Sequence, residues 1–309
     1  MITGIRTHLN YDSMKREIKV WLVTSEHLED SLWFREESDF IVGMNYVAVQ
    51  VTVSKVTVLA HILMSNHVHF LIVGTREEAE HFINGYKSRY SNYLQRKYGF
   101  LKTLKGNDVD IREIPMDPES IAWAAAYVVN NSVAANICSY PTQYPWGSGD
   151  VYFNCQPVQG LPLANISDRE RIRRLKSKIV LPGEWQLNAS GYISPSFYVD
   201  KKYMEEVVFT SPRKMHYYIT YSSKARMRME MSEDSLPSFR DQTVIAAIPD
   251  LCRSLFGKAG FRELNDTQKV EFLRQLRYRF SSNVNQLARV TGLKYEEAAK
   301  LLDRPVQKL

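Results

Sequence analysis

Apolar positions along this chain fall into two rhythms. Up to about residue 140, short runs rich in β-branched and aromatic residues alternate with longer stretches whose apolar residues recur every three or four positions, the signature of strands alternating with helices. Ile18-Lys19-Val20-Trp21-Leu22-Val23-Thr24 predicts a first strand, and Ser38 to Val53 is long and apolar enough that a helix is the economical expectation despite its β-branched residues. Lys55 to Leu63 and His67 to Gly74 predict two more strands, made antiparallel neighbours by the short Met64-Ser65-Asn66 turn. Glu77 to Tyr98 has the length and charge texture of a solvent-facing helix closed by Gly99. Val109 to Ile114 is a fourth strand. Asp117-Pro118-Glu119, an N-cap followed by Pro in the first position, opens a helix over Ser120 to Asn136.

The resulting order, β-α-β-β-α-β-α, predicts an α+β domain over residues 1–155 with a central antiparallel sheet, a ferredoxin-like layout with one added helix. After Pro145 the rhythm loosens. Asp168 to Lys178 is a basic helical stretch, followed by the Pro182-Gly183 turn and a Tyr- and Phe-rich region, which together make residues 156–243 a connecting module. From about Val244 the helical rhythm returns. Asn265-Asp266-Thr267-Gln268 caps a helix to Phe280, and two shorter helices, Val284 to Thr291 and Tyr295 to Leu302, flank Gly292. That spacing over residues 244–309 suits either a helix-turn-helix or a plain three-helix bundle.

Composition narrows the classes. With 309 residues, 44% hydrophobic, the chain can bury one large core or two to three smaller ones. No run approaches the roughly 20 apolar residues of a membrane span, and the N-terminal residues lack a signal-peptide pattern, so a cytoplasmic protein without a membrane partner is expected. Cys138, Cys155 and Cys252 are scattered, odd in number and in no Cys-x-x-Cys pair, which argues against a disulfide framework and a structural zinc site. A net charge of +6 suits a polyanionic partner without requiring one.

The candidate chemistry begins at His67-Val68-His69. Alternate strand residues share a face, so the two imidazoles project together as half of a metal site. Tyr127 and Asn131, four apart on the next helix, share a helical face that crosses the sheet toward the pair. A tyrosine hydroxyl is a nucleophile once deprotonated, and an amide oxygen beside two imidazoles leaves open positions for a phosphate on Mg²⁺ or Mn²⁺. Tyr86, Tyr90 and Tyr93 compete for the nucleophile's role, whereas His61 reads as a buried strand residue. Lys87, Arg89, Arg96 and Lys97 make a basic, aromatic-interleaved surface on the preceding helix suited to phosphates and bases. If the tail reads DNA, Lys294, Tyr295 and Lys300 are its contacts; residues 241–309 carry 12 Lys and Arg against 8 Asp and Glu.

At these residues a family resemblance becomes specific. His67-Val68-His69 after Met64-Ser65-Asn66 resembles the His-hydrophobic-His motif of single-tyrosine HUH transposases, and particularly of the REP-associated tyrosine transposases. Tyr86-Lys87-Ser88-Arg89-Tyr90-Ser91-Asn92-Tyr93 is similar to that family's following helix. Tyr127-Val128-Val129-Asn130-Asn131-Ser132-Val133 resembles its Tyr-x-x-x-Asn-Pro-Val segment, with Ser132 in the place of Pro, and Tyr144-Pro145-Trp146-Gly147-Ser148 resembles its closing Trp-Ser-Ser signature. Gly99-Phe100-Leu101-Lys102 departs from the family's Gly-x-Leu-Trp. Over residues 18 to 155 the resemblance implies a metal-dependent endonuclease and strand transferase acting on single-stranded or hairpin DNA as a monomer or homodimer. His67, His69 and Asn131 would be metal ligands and Tyr127 the nucleophile. Two other functions fit the same residues: a DNA-binding protein without turnover, and a metal hydrolase of small phosphate esters.

Overall fold

Strands and helices alternate in the expected order, because each run's rhythm finds a partner surface. A computed structural model describes residues 17–25, 33–65, 67–99, 109–135, 137–230, 241–280, 282 and 284–302, with the backbone alone over 223–230. It contains β1 (Lys19–Thr24), α1 (Glu37–Ser54), β2 (Thr57–Leu63), β3 (Val68–Gly74), α2 (Arg76–Tyr98), β4 (Asp110–Ile114) and α3 (Pro118–Val129). The strands make one sheet in the order β2-β3-β1-β4, each neighbouring pair antiparallel. Asn66, Asn136 and the Phe100-Leu101-Lys102 stretch lie outside the described residues.

Helices cover both faces of this sheet. β3 is buried along its whole length, which is why it reads as a continuous apolar run rather than an alternating one. Phe70 meets Phe82 and Tyr86 of α2 at ring-centroid distances of 5.0 and 5.5 Å, with α1 packed beside α2. One residue earlier the side chain points to the opposite face, and there His69 meets Tyr127 of α3 at 5.5 Å.

Two expected helices differ from their sequence reading. α2 is not solvent-facing: Ala79, Phe82, Ile83, Tyr86, Lys87, Tyr90, Ser91 and Leu94 form a buried stripe along it. Each large apolar side chain in that stripe gains about 1.5–3 kcal/mol on burial, which outweighs the polar texture of the helix's other faces. Its ends follow the sequence signals, with the Thr75 hydroxyl accepting from the Glu78 N–H and Gly99 taking the left-handed conformation, φ 69°. The helix expected to reach Asn136 stops at Val129, turns at Asn130 and restarts as α4 (Asn131–Ala134). Two amides cause the break. Asn131 Nδ2 donates to the Tyr127 and Val128 carbonyls at 2.9 and 3.2 Å, the acceptors an unbroken helix reserves for the N–H groups of Asn131 and Ser132. Asn130 Nδ2 meanwhile donates to the Ile219 carbonyl at 2.8 Å.

The connecting residues hold a two-stranded ladder of β5 (Leu161–Pro162) and β6 (Gln186–Leu187), together with α5 (Asp168–Leu175), α6 (Lys201–Tyr203) and α7 (Pro212–Glu230). Buried side chains from Val20 through Ile219 form one continuous core, so these elements pack onto the sheet domain. α8 (Asp241–Phe256), α9 (Asp266–Phe280), α10 (Val284–Thr291) and α11 (Tyr295–Leu302) enclose a second core from Val244 to Leu301. Asn265 and Gln268 cap α9 reciprocally, each side chain accepting the other's backbone N–H. Tyr278 of α9 joins the cores: its ring lies 6.1 Å from Phe40 and 5.9 Å from Tyr144, and its hydroxyl accepts the Trp146 indole N–H. Among the described residues no helix is long and apolar enough to cross a membrane.

Candidate metal centre and nucleophile

His67 sits at the mouth of β3 and His69 inside it. The His67 carbonyl accepts the Met64 N–H at 2.8 Å, closing the turn that delivers both residues to one face. Their rings stand edge-on at 4.9 Å. His69 is fully buried, whereas His67 is partly exposed, so the pair spans from the core to solvent. Thr24 lies opposite His69 in the β1 ladder, and its hydroxyl meets His69 Nδ1 at 3.0 Å. Ser25 clamps the intervening residue, its N–H donating to the Val68 carbonyl and its hydroxyl accepting the Val68 N–H, both at 3.1 Å. Thr24 and Ser25 escape a reading of the sequence because only the strand register sets them beside the histidines.

Tyr127, partly exposed on α3, presents its ring edge-on to His69 at 5.5 Å. The two histidines and the tyrosine therefore come together as expected. Asn131 begins the next helical segment, 4% exposed, on the Tyr127 and Val128 carbonyls. Its NH₂ is committed to the backbone, and an amide oxygen is the kind of hard donor a divalent cation takes.

The donor set fits a divalent cation. A metal-ligating imidazole needs its second nitrogen held by a hydrogen-bond partner, and Thr24 does this at Nδ1 of His69. Among the described residues no three or more His, Cys, Asp or Glu gather as a metal-binding group, so a site here would need a further oxygen donor beside the two imidazoles. With an amide in that place the set carries no protein charge and leaves positions open to phosphate oxygens.

The Tyr144-Pro145-Trp146-Gly147-Ser148 segment has a structural task. It lies along the outer edge of β2, with Leu63 N–H donating to the Trp146 carbonyl at 2.8 Å and Ser148 N–H to the His61 carbonyl at 2.9 Å. A Cβ at Gly147 would stand 2.9 Å from the His61 carbonyl oxygen, so the approach requires glycine. His61 itself is a core residue as read from the sequence: fully buried, stacked on Phe70 at 6.2 Å, its pKa lowered by burial to about 3.

The competing tyrosines are removed from the chemistry. Tyr86 and Tyr90 are fully buried on the opposite side of the sheet, and burial pushes both hydroxyl pKa values well above the ordinary one. Tyr90 donates to the Trp33 carbonyl at 2.8 Å, and Tyr93 to Asp39 Oδ1 at 2.8 Å.

The basic surface expected on α2 needs correction. Lys87 is 2% exposed within the buried stripe and cannot meet a phosphate. Lys97 is neutralised by Glu36 and by Asp39 at 2.6 Å. Arg89 reaches across to Gln50 at 3.2 Å, whereas Arg96 is exposed. In the tail, Gly292 at φ 73° makes the turn before α11, and Lys294, Tyr295 and Lys300 are all exposed, next to Glu296 and Glu297. Comparison of the chain with protein-family models, with curated proteins and with solved structures finds no match.

Proposed function

We propose that this chain is a metal-dependent single-strand DNA endonuclease and strand transferase of the REP-associated tyrosine transposase type. The observation that carries this reading is the convergence of His67, His69 and Tyr127, with ring separations of 4.9 and 5.5 Å on one face of the sheet. The strand order β2-β3-β1-β4, with α1 and α2 together on the other face, supports a ferredoxin-like HUH domain. His67, His69 and Asn131 would hold Mg²⁺ or Mn²⁺, which supplies polarisation of a phosphoryl oxygen.

Tyr127 performs the covalent step. Its oxygen bonds to phosphorus of the DNA backbone while the bond from phosphorus to the 3′-oxygen breaks, giving a 5′-phosphotyrosyl link and a 3′-hydroxyl. The phenol loses one proton and the leaving oxygen gains one. One phosphodiester is exchanged for another, so the reverse attack rejoins a strand without ATP. Partial exposure of Tyr127 and His67 lets a strand reach the site, and burial of His69 and Asn131 holds its floor rigid.

The test is a denaturing gel of wild type, Tyr127→Phe, Tyr86→Phe and Tyr90→Phe incubated with labelled hairpin DNA and Mn²⁺. A covalent adduct is expected in all but Tyr127→Phe. An adduct that persists in Tyr127→Phe refutes the nucleophile, and no adduct in any sample favours a DNA-binding protein without turnover on the same fold.

A further inference from the structure

On the side of the sheet away from the histidines, α1, the last turns of α2 and the end of α5 enclose a cleft of about 470 Å³. Its walls are Val42, Tyr46 and Tyr93, and its rim carries Arg96, Lys97 and Lys176. The cations are gathered by the fold. Lys176 ends α5 in the left-handed conformation, φ 50°, and its carbonyl accepts the Tyr46 hydroxyl at 3.3 Å. Two residues earlier the Arg174 carbonyl accepts Asn45 Nδ2 at 3.5 Å, so the end of α5 is pinned to α1. Arg89 and Arg96 both lie close enough to act electrostatically on the Tyr46 hydroxyl.

The charge of this rim is not balanced. Lys97 is spent on Asp39 and Glu36, but among the described residues Arg89, Arg96 and Lys176 form no ion pair with a carboxylate. Lys178, two residues after Lys176, is also exposed, whereas Arg173 and Arg174 within α5 pair with Glu170. Two cations without a carboxylate partner, set on one rim, suit successive phosphates of a polyanion, and the half-buried Tyr93 offers a wall for the face of a base. An acidic peptide would use the cations and leave the aromatic walls idle.

We propose that this cleft is a second nucleic-acid site, where a single strand lays a base against Tyr93 and its phosphates on Arg96 and Lys176. It lies on the sheet face opposite Tyr127, so it holds a part of the strand remote from any scissile bond and stands independently of the cleavage chemistry. The basic stretch from Asp168 to Lys178 thereby gains a role.

The experiment is fluorescence anisotropy of labelled oligothymidylate with the full-length chain in EDTA over a salt series, so that cleavage plays no part. Arg96→Glu/Lys176→Glu should weaken binding at least about tenfold at ~0.1 M salt and lower the salt slope by roughly 1.4, two single-strand phosphate contacts at ~0.7 each. Arg253→Glu, an exposed cation on α8, should change neither. A thermal melt confirms folding, and Arg96→Gln/Lys176→Gln replaces the double reversal if that variant melts early. Unchanged affinity and slope in the double variant would overturn the proposal. So would an abasic strand that binds as tightly as oligothymidylate, or displacement by thymidine monophosphate or polyglutamate at the strand's own concentration.

Discussion

Replacing Thr24 by Val tests the metal centre through a residue that would not touch the metal. The β-branched shape and the strand position are retained, and the one group lost is the hydroxyl 3.0 Å from His69 Nδ1. Thr24 is 5% exposed and His69 fully buried, so water cannot replace that partner without opening the sheet. A buried imidazole nitrogen stripped of its partner costs about 1–3 kcal/mol. Losing the partner of a ligating histidine typically weakens metal binding by 10- to 100-fold, which is ~1.4–2.7 kcal/mol and agrees with that cost. Calorimetric titration of Mn²⁺ should therefore show affinity falling by that factor in Thr24→Val while Thr24→Ser stays near wild type, because Ser keeps the hydroxyl. Equal Mn²⁺ affinity in Thr24→Val and wild type would refute the assignment of His69 as a ligand. A loss shared by Thr24→Ser would trace the effect to packing instead.

Further outcomes are expected elsewhere in the chain. His67→Ala should abolish adduct formation with little loss of stability, because His67 is partly exposed and its structural bond is made by the backbone; His69→Ala should lose both, since it empties a buried site. Full adduct yield in His67→Ala at limiting Mn²⁺ would sink the metal site. The buried neutral His61 makes the fold acid-sensitive: the unfolded imidazole takes up a proton below about pH 6.5, the folded one not until about pH 3, so stability falls with pH across that window by ~1.4 kcal/mol per unit. His61→Phe should then lose about 2 kcal/mol less than wild type between pH 6.5 and 5 in urea titrations, and parallel losses would refute this account. In the tail, Lys294→Glu/Lys300→Glu should weaken hairpin-DNA binding and lower its salt slope by about 2 without disturbing Tyr278; an unchanged slope would make α10 and α11 packing elements alone.

The sheet and its helices were legible because strand and helix rhythms survive burial. Even β3, apolar throughout, was marked by its turn and its length. Facing was not legible for α2. Its lysines, arginines and glutamates suggest a solvent helix, yet Tyr86, Lys87, Tyr90 and Leu94 fall on one buried stripe and only Arg96 of its four singled-out cations remains exposed and unpaired with an acid. Tyrosines read as polar at long range and bury well when a carbonyl is within reach, as Trp33 supplies for Tyr90.

The candidate site divides along the same line. His67, His69 and Tyr127 were visible because spacing within one element fixes their faces, whereas Thr24 and Ser25 reach them across a strand pair, and register is a property of two segments at once. The break before Asn131 was hidden for a different reason. A proline at position 132 would announce the end of a helix, but Ser132 does not, and the interruption is made by side-chain amides bonding to carbonyls. Those same bonds fix how the Asn131 amide is turned. The helix break and the orientation of the candidate third ligand are thus one feature, and substituting Asn131 by Asp, which cannot donate, should disturb both the end of α3 and the site it borders.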